Sequence, residues 1–195
     1  PRVLYHKRIH DGTSSEREAK HAQENLAGKE ALEAHVSREH LLARVMMTDQ
    51  RSVYTVKYDT PGNPLVSMII TGHTNRSLLE PFYEKTRYSN FEIIIVDEDR
   101  TDEELQKYYQ QMQSRRRNIA VVEAEPGKSS TECRNLGTLY ANGSFLLFLD
   151  ANMEIGDTIA LGEMLGIAMR EDVGIVAGTV YDDRDRLYCA GLEFA

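Results

Sequence analysis

Between residues 65 and 180 the chain repeats one unit, in which a short apolar run is followed by a polar loop and a helix-like segment. Apolar runs of strand length lie at 65–70, 91–96, 119–123, 145–149 and 174–180. The helix-like segments lie at 76–86, 101–116, 130–140 and 158–169. The first, second and fourth runs are almost uninterrupted, as expected of strands buried on both faces. The repeat predicts an α/β fold of Rossmann-like type, a mostly parallel sheet flanked by helices.

The first 60 residues have a different character. Residues 15–42 are rich in Ala, Glu, Lys, Gln and Leu, which predicts a helix that Gly28 divides into two pieces. Residues 51–58 resemble a strand, and the turn-forming sequence TPGNP follows at 60–64. We therefore expect a helical linker and a strand in residues 1–60 and a separate domain in residues 61–195.

Charge and cysteine content limit the possible partners. The net charge of −8 argues against nucleic acid, which requires a basic surface. Cys133 and Cys189 are too few for a disulfide framework and lack metal-site spacing, so a reducing cytoplasmic location is expected. No stretch approaches the about 20 apolar residues of a membrane span, so any membrane association would come from other parts of the protein. The chain begins at Pro1 rather than Met, which indicates a piece of a longer protein.

Polar residues follow the predicted strands at the carboxyl ends, where sheets of this kind bind ligands. Asp97 and Glu98 come directly after the second strand, where a carboxylate can accept a hydrogen bond from the imide N–H of uracil, thymine or guanine. Asp99 and Asp102 are equally typical of a solvated helix N-terminus. Thr101 and Glu104 predict a capping box there.

Asp150 and Asn152 follow the fourth strand and could face one divalent ion that bridges two phosphates. A turn or a helix cap is an equally good interpretation of that spacing. Arg134, on the preceding helix, could neutralise phosphate charge or lie on a solvated face.

Four segments, in this order and spacing, resemble the family 2 glycosyltransferases. They read PLVSMIIT at 64–71, EIIIVDE at 92–98 followed by Thr101 and Asp102, CRNLG at 133–137, and ANGS at 141–144 with FLDAN at 148–152. The third is similar to the family's Ala-Arg-Asn-x-Gly helix and the last to its Asp-x-Asp strand end. The resemblance covers residues 61–195 and implies the GT-A fold and hexosyl transfer with inversion.

The resemblance also implies roles for individual residues. The nucleoside pocket would be lined by Thr71, His73, Asp97 and Glu98, with Glu98 holding the base. Lys128 and Arg134 would lie near the base and the diphosphate. Asp150 and Asn152 would take the ribose and metal places, the metal being Mn²⁺ or Mg²⁺. The family commonly has Asp where this chain has Asn152, and a neutral amide weakens metal binding.

The N-terminal segment carries a second resemblance. The sequence VLYHKR at 3–8 is similar to the Tyr-His-Trp-Arg run that closes another such transferase domain, with Lys7 in place of Trp. Residues 1–60 would then be the tail of a preceding module and a linker, as in tandem bacterial transferases that build surface polysaccharides. The candidates for a general base after Asn152 are Glu154, Asp182, Asp183 and Asp185, and the last three are typical of a solvated turn between strands. We therefore expect this chain to bind the donor without transferring sugar by itself.

The leading hypothesis is transfer of a sugar from a UDP- or dTDP-sugar to a glycan acceptor. Asn152 favours a rival hypothesis, a catalytically inactive nucleotide-sugar-binding module. A phosphoacceptor signalling domain would require a Lys after the last strand, where this chain has Tyr181, Asp182 and Asp183.

Overall fold

The computed structural model describes residues 14–72, 76–98, 101–153 and 156–191. The chain divides into two compact units, Pro1–Asp59 and Thr60–Ala195. Segment 3–8, His73, Asp99 and Glu154 lie outside the described residues. None of the described helices is both long enough and apolar enough to cross a membrane.

The described part of the first unit is one helix packed on a hairpin. Helix α1 spans Ser14–Arg38, and strands β1 (Ala43–Met47) and β2 (Tyr54–Tyr58) pair antiparallel, with Ala43 opposite Tyr58. The chain leaves α1 at His40, whose φ of 53° is a left-handed conformation that ends helices. Strand β1 was not predicted, and the predicted strand 51–58 begins at Tyr54.

The predicted break at Gly28 is wrong, because α1 continues through it. A Cβ at this position would lie 2.1 Å from Tyr54 Oη, so the absence of a side chain lets the tyrosine ring lie against the helix. Tyr54 Oη donates a hydrogen bond to Asn25 O at 2.9 Å. Glycine costs an isolated helix about 1 kcal/mol, and this packing offsets that cost.

The second unit is the predicted α/β repeat. Its elements are β3 (Val66–Thr71), α2 (Arg76–Lys85), β4 (Phe91–Asp97), α3 (Glu103–Arg115), β5 (Ile119–Glu123), α4 (Ser130–Thr138), β6 (Phe145–Asp150), α5 (Ala160–Ala168), β7 (Val180–Tyr181) and β8 (Leu187–Cys189). Strands β3 to β6 form one parallel sheet in the order β5-β4-β3-β6. The α/β fold with a parallel sheet flanked by helices is confirmed, and most predicted elements end within two residues of the observed ones.

Helices cover both faces of this sheet. The larger apolar cluster joins one face to α2, α3 and α5 through Leu79, Phe82, Tyr109, Met112 and Leu161. Helix α4 covers the other face, where Cys133 packs with Ile69, Ile94, Val96 and Val122. Gly137 permits this close approach, since a Cβ there would lie 2.5 Å from Ile69 Cγ2.

A polar network fixes the connection from α4 to β6. Ser67 Oγ donates to Glu92 Oε1 at 2.6 Å, and the backbone N–H of Asn142 donates to the same oxygen at 2.6 Å. Gly143 N donates to Ser67 Oγ at 2.8 Å, and a Cβ on Gly143 would lie 2.6 Å from Ser67 N. These contacts hold the start of β6 beside β3 and so determine which residues are neighbours at the other end of the two strands.

Two helix starts differ from expectation. The predicted capping box of Thr101 and Glu104 is wrong, because Asp102 is the N-cap of α3 and its Oδ1 accepts hydrogen bonds from the backbone N–H groups of Glu104 and Leu105, each at 3.0 Å. A capping box does begin α4. There Ser129 N donates to Glu132 Oε2 at 2.8 Å, and Glu132 N donates to Ser129 Oγ at 3.3 Å.

Two strand predictions also change. Segment 174–179 forms no strand, and Val180–Tyr181 pairs with Leu187–Cys189 in a short hairpin instead. Gly174 and Gly178 weaken a strand there, and Ile175 is 90% exposed. In β6 the expected burial on both faces is wrong, because Leu146 and Phe148 are 45% and 44% exposed.

Candidate functional site

The sheet reverses its strand order between β3 and β6. From β3 the chain builds outward through β4 to β5 and then returns to the opposite side of β3 with β6. Thr71 lies opposite Asp150 at the carboxyl ends of these two strands, and Ala151 N donates to Thr71 O at 3.0 Å. Open α/β sheets bind ligands in the crevice at such a reversal.

An ion pair lies at this crevice. Arg134 Nη2 of α4 donates to Asp150 Oδ1 at 2.8 Å, and both side chains are partly exposed, 38% and 48%. Arg134 Nε is buried and has no hydrogen-bond partner among the described residues. A buried donor without an acceptor costs free energy, so this atom is suited to an oxygen that a ligand would bring.

The segment after β6 turns back at once. Met153 N donates to Asp150 O at 2.9 Å, and Asn152 is exposed within this turn. No group of three or more His, Cys, Asp or Glu side chains that could hold a metal occurs within the described ranges. Asp150 carries carboxylate oxygens and Asn152 an amide oxygen at this part of the rim.

Glu98 is held at the rim by a hydrogen bond from the backbone of β3's end. Gly72 N donates to Glu98 Oε1 at 3.1 Å, with Gly72 at a φ of 93°, in the region that favours glycine. On α4, the Cys133 side chain is fully buried against the sheet. Burial raises the pKa of this thiol, and the neighbouring Glu98 carboxylate raises it further.

The remaining predicted site residues are placed differently. Asp97 is only 2% exposed, and its Oδ2 accepts a short hydrogen bond from Gln106 Nε2 of α3, so its carboxylate is tied to the helix layer. Thr71 is buried. Lys128, in the loop before α4, lies with its Nζ 3.3 Å from Glu125 Oε2. His73 belongs to a segment outside the described residues.

Sequence reasoning missed the residues that hold the site together. Gly72 and Gln106 were not singled out as supports, although each donates a hydrogen bond to one of the predicted acids. Gly72 could have been singled out from its position, because it immediately follows a buried strand.

Comparison with known proteins gives one family. The model of glycosyl transferase family 2 matches residues 68–188, more than half of the chain and all of the described rim. Protein y4gI of Sinorhizobium fredii, itself uncharacterized, is 26% identical over 196 residues, which cover 98% of this chain and 22% of that protein. The O-antigen biosynthesis protein RfbC of Myxococcus xanthus is 30% identical over 178 residues, 89% of this chain and 14% of that protein. The chain thus spans about a fifth or less of the length of these relatives.

A solved structure shares the fold. The mannosyltransferase PcManGT from Pyrobaculum calidifontis, in complex with GDP-Man and Mn²⁺, superimposes with a TM-score of 0.55 at 16% identity. The match covers 86% of this chain and 47% of that one. At this level of identity the similarity shows a common GT-A architecture.

Proposed function

Because the chain belongs to glycosyl transferase family 2, we propose that it binds the nucleotide part of a UDP- or dTDP-sugar, whose hexosyl group the whole protein transfers with inversion to a glycan acceptor. The similarity to an O-antigen biosynthesis protein supports a glycan of the cell surface as the product. Two contacts at the carboxyl ends of neighbouring strands carry this proposal. Arg134 pairs with Asp150 at the strand-order reversal, and Glu98, after the adjacent strand β4, accepts a hydrogen bond from Gly72 N at the end of β3.

Each of the three side chains matches one part of a nucleoside diphosphate. An exposed carboxylate such as Glu98 can accept the imide N–H of uracil or thymine. Asp150 has carboxylate oxygens that can accept a ribose hydroxyl. Arg134 can neutralise the diphosphate charge, because guanidinium binds phosphate oxygens with directed N–H groups.

The geometry of Arg134 favours such a contact. Its Nη2 is already engaged by Asp150, which fixes the guanidinium plane, while its buried Nε has no partner among the described residues. The Arg134 side chain is 38% exposed, so its outer N–H groups are accessible to a phosphate oxygen. Binding a charge with a side chain that is already ordered costs less conformational entropy than ordering a free arginine.

The oxygen donors at the rim fit a divalent cation that the nucleotide itself helps to hold. Mg²⁺ is usually bound through one or two carboxylates together with substrate phosphates. Asp150 would supply the carboxylate and Asn152 a neutral amide oxygen, so the protein contributes little negative charge. When bound, Mn²⁺ or Mg²⁺ would stabilise charge that develops on the departing diphosphate.

We further propose that the general base for the acceptor hydroxyl comes from outside residues 1–195. An inverting transfer needs such a base, normally a carboxylate. Asp182 is a poor candidate, because its Oδ1 accepts the N–H groups of Arg184 and Arg186 and its Oδ2 accepts Arg186 Nε at 2.8 Å. The hydrogen bonds from Arg186 hold the pKa of Asp182 below its usual value.

A nucleotide-binding screen of the full-length protein tests the proposed function. Dissociation constants for UDP, dTDP, GDP and CDP are measured with and without Mn²⁺. We expect UDP or dTDP to bind up to about 100-fold more tightly than CDP, whose base lacks the imide donor and would leave a carboxylate unpaired. Equal affinity for all pyrimidine nucleotides would contradict the assignment of Glu98.

The neutral Asn152 favours a second candidate, a module that binds nucleotide-sugar without catalysing transfer. Turnover of a labelled donor by the full-length protein distinguishes the two functions. If the protein is a transferase, the donor is turned over and the rate depends on added Mn²⁺ or Mg²⁺. If it is a binding module, it binds the donor without turnover.

A further inference from the structure

The edge of the sheet opposite the rim carries cations that the proposed function does not use. The parallel strands β4 and β5 follow α2 and α3, so both helices end at the edge where these strands begin. The cations at this edge are all exposed, and we call them the basic edge: Lys85, Arg87, Arg115, Arg116 and Arg117. We propose that the basic edge is a docking surface for a membrane that contains anionic lipids.

The basic edge locally reverses the charge of the chain. The whole chain has 23 Lys and Arg residues against 31 Asp and Glu residues. Residues 112–119 contain three arginines and no acid, and residues 82–90 contain Lys85, Arg87 and one acid, Glu84. Asp157 adds a second acid nearby, since Arg87 N donates to Thr158 O at 2.9 Å. An anionic surface is therefore attracted to this edge and repelled by the rest of the chain, which favours one orientation.

Contacts inside the chain do not account for these charges. Ion pairs occur elsewhere in the described part of the chain, and none of them involves a residue of the basic edge. A cation in the last turn of a helix interacts favourably with the helix dipole, which explains Arg115 of α3. Arg117 lies two residues beyond the end of α3, where this effect has fallen off.

The cations of the two helices are held on one framework. Arg116 Cζ lies 4.3 Å from the centroid of the Tyr83 ring of α2, and Tyr83 Oη donates to Asn118 Oδ1 at 3.0 Å. Asn118 Nδ2 in turn donates to Phe91 O, at the start of β4, at 2.9 Å. The ends of α2 and α3 are thus joined to each other and to the sheet, so their charges act on the same surface.

The basic edge offers charge without an apolar centre. The large apolar side chains at these two helix ends are buried or half-buried: Phe82, Tyr83, Tyr88, Phe91, Met112 and Ile119. A stable protein interface needs a desolvated apolar centre, so an acidic protein partner is the poorer match. Attachment to an anionic membrane needs only several cations near the surface. Guanidinium groups also bind the phosphate oxygens of lipid headgroups with directed N–H groups.

Docking at this edge leaves the nucleotide site open. The rim lies at the other end of the same strands, and the seven residues of β4 separate the two edges by about 20 Å. This separation exceeds the Debye length of about 8 Å at physiological ionic strength, so the acids of the rim are screened from the membrane charge. The sequence led us to expect membrane association only from other parts of the protein, whereas the basic edge gives this chain a contact of its own.

Vesicle binding by the full-length protein tests the proposal. The edge variant, Arg115→Gln with Arg117→Gln, removes two charges and leaves Arg116 on the Tyr83 ring. Partition into vesicles of phosphatidylglycerol and phosphatidylcholine in equal parts is measured by sedimentation. Each cation near an anionic membrane contributes about fivefold in affinity, so we expect the edge variant to bind about 25-fold more weakly than wild type.

Two matched variants separate local charge from other effects. Arg44→Gln with Lys107→Gln removes the same charge from β1 and from the first half of α3, and should bind within about twofold of wild type. Arg115→Lys with Arg117→Lys keeps the charge and should bind within about threefold of wild type. Equal losses in the edge variant and in either of these two would overturn the proposal.

Hydrogen exchange locates the contact even if other parts of the full-length protein also bind the vesicles. Vesicles should slow exchange of the backbone amides of residues 113–118 in wild type and not in the edge variant. Unchanged exchange in wild type, or equal slowing by vesicles of phosphatidylcholine alone, would refute docking through anionic lipid. If the edge variant loses affinity for soluble polyglutamate but not for vesicles, the partner is an acidic protein and the proposal is wrong. None of these measurements uses a nucleotide, so they stand whether or not the proposed function holds.

Discussion

Arg134 Nη2 lies 2.8 Å from Asp150 Oδ1, so helix α4 and strand β6 meet through an ion pair at the carboxyl end of the sheet. Both side chains are partly exposed, and exposed ion pairs contribute at most about 1 kcal/mol to folding. The pair therefore contributes little to stability, and the role we propose for it is to orient two groups that bind the nucleotide.

Replacing Arg134 tests this orientation. We expect Arg134→Ala to weaken UDP binding about 10- to 100-fold, because charge-assisted hydrogen bonds to phosphate contribute about 1.5 to 3 kcal/mol. Calorimetric titration of the full-length protein provides the measurement. Arg170→Ala is the matched control, since Arg170 Nη2 pairs with Asp172 Oδ2 at 2.6 Å outside the rim. Equal losses in both variants would refute a specific role for Arg134.

Restoring a second carboxylate should strengthen the cation site. Asn152→Asp adds negative charge two residues after Asp150, and affinity at oxygen-ligand sites rises with ligand charge. We expect Mn²⁺ to bind at least about tenfold more tightly in the presence of UDP, as measured by titration. Asn135→Asp, on helix α4, controls for a general effect of added charge. An Asn152→Asp titration identical to wild type would place the cation elsewhere.

The close contact between α4 and the sheet predicts opposite effects of alanine at two helical glycines. At Gly137 a Cβ would lie 2.5 Å from Ile69 Cγ2 and 3.1 Å from Val96 Cγ2, so we expect Gly137→Ala to lower the free energy of unfolding by about 1 to 3 kcal/mol. At Gly162, in α5, a Cβ would have no neighbour within 4 Å. We therefore expect Gly162→Ala to raise the free energy of unfolding by up to about 1 kcal/mol. Urea unfolding gives both values. A stabilising Gly137→Ala would contradict the observed packing.

Glu92 predicts a stability change in acid. Burial raises its pKa, but hydrogen bonds from Ser67, Asn142 and Gly143 outweigh burial and hold the pKa below the ordinary 4.5. A lowered folded-state pKa stabilises the protein above pH 4.5, and this contribution is lost as pH falls through the folded-state value. Glu92→Gln should therefore cost about 1 to 2 kcal/mol at pH 7 and progressively less below pH 4.5.

The control for this pH dependence is Glu80→Gln, at an exposed position on α2. Chemical unfolding of the two variants and wild type across pH 3 to 7 supplies the comparison. A Glu92→Gln deficit that stays constant over this range would show that the hydrogen-bonded network does not depend on the charge of Glu92.

The proposed external base predicts a difference between this chain and a longer one. The 195-residue chain and the full-length protein are supplied with a labelled UDP-sugar and a mixed glycan acceptor. We expect turnover from the full-length protein and none above background from the short chain, because a missing general base alone costs about 10²- to 10⁴-fold. Equal rates would place the base within residues 1–195.

The strands of the parallel sheet and the helices between them were predictable because their apolar runs are long and separated by clear loops. β4, for example, extends one residue beyond the predicted 91–96. Residues 174–179 have a similar apolar content but form no strand, because two glycines weaken pairing there. Gly28 misled the helix prediction because its effect depends on Tyr54, 26 positions away in the chain.

The candidate site was predictable in its residues but not in its contacts. The polar clusters after each strand identify the rim, since parallel strands bring their carboxyl ends together. The sequence could not show which of the adjacent acids Asp97 and Glu98 is buried and which is exposed, because this depends on the side of the strand end that each side chain faces. Asp97 is bonded to Gln106 of α3, whereas Glu98 accepts a hydrogen bond from Gly72 N.

The outer surface of β6 has a practical consequence for experiments with this chain. Leu146 and Phe148 are almost half exposed on the strand that ends in Asp150, and within the described ranges β6 is hydrogen-bonded only to β3. An open strand edge beside apolar side chains is a template for pairing with another molecule. We therefore expect the purified 195-residue chain to self-associate as its concentration rises. Because β6 also carries Asp150, binding titrations should use dilute protein whose association state is checked by light scattering.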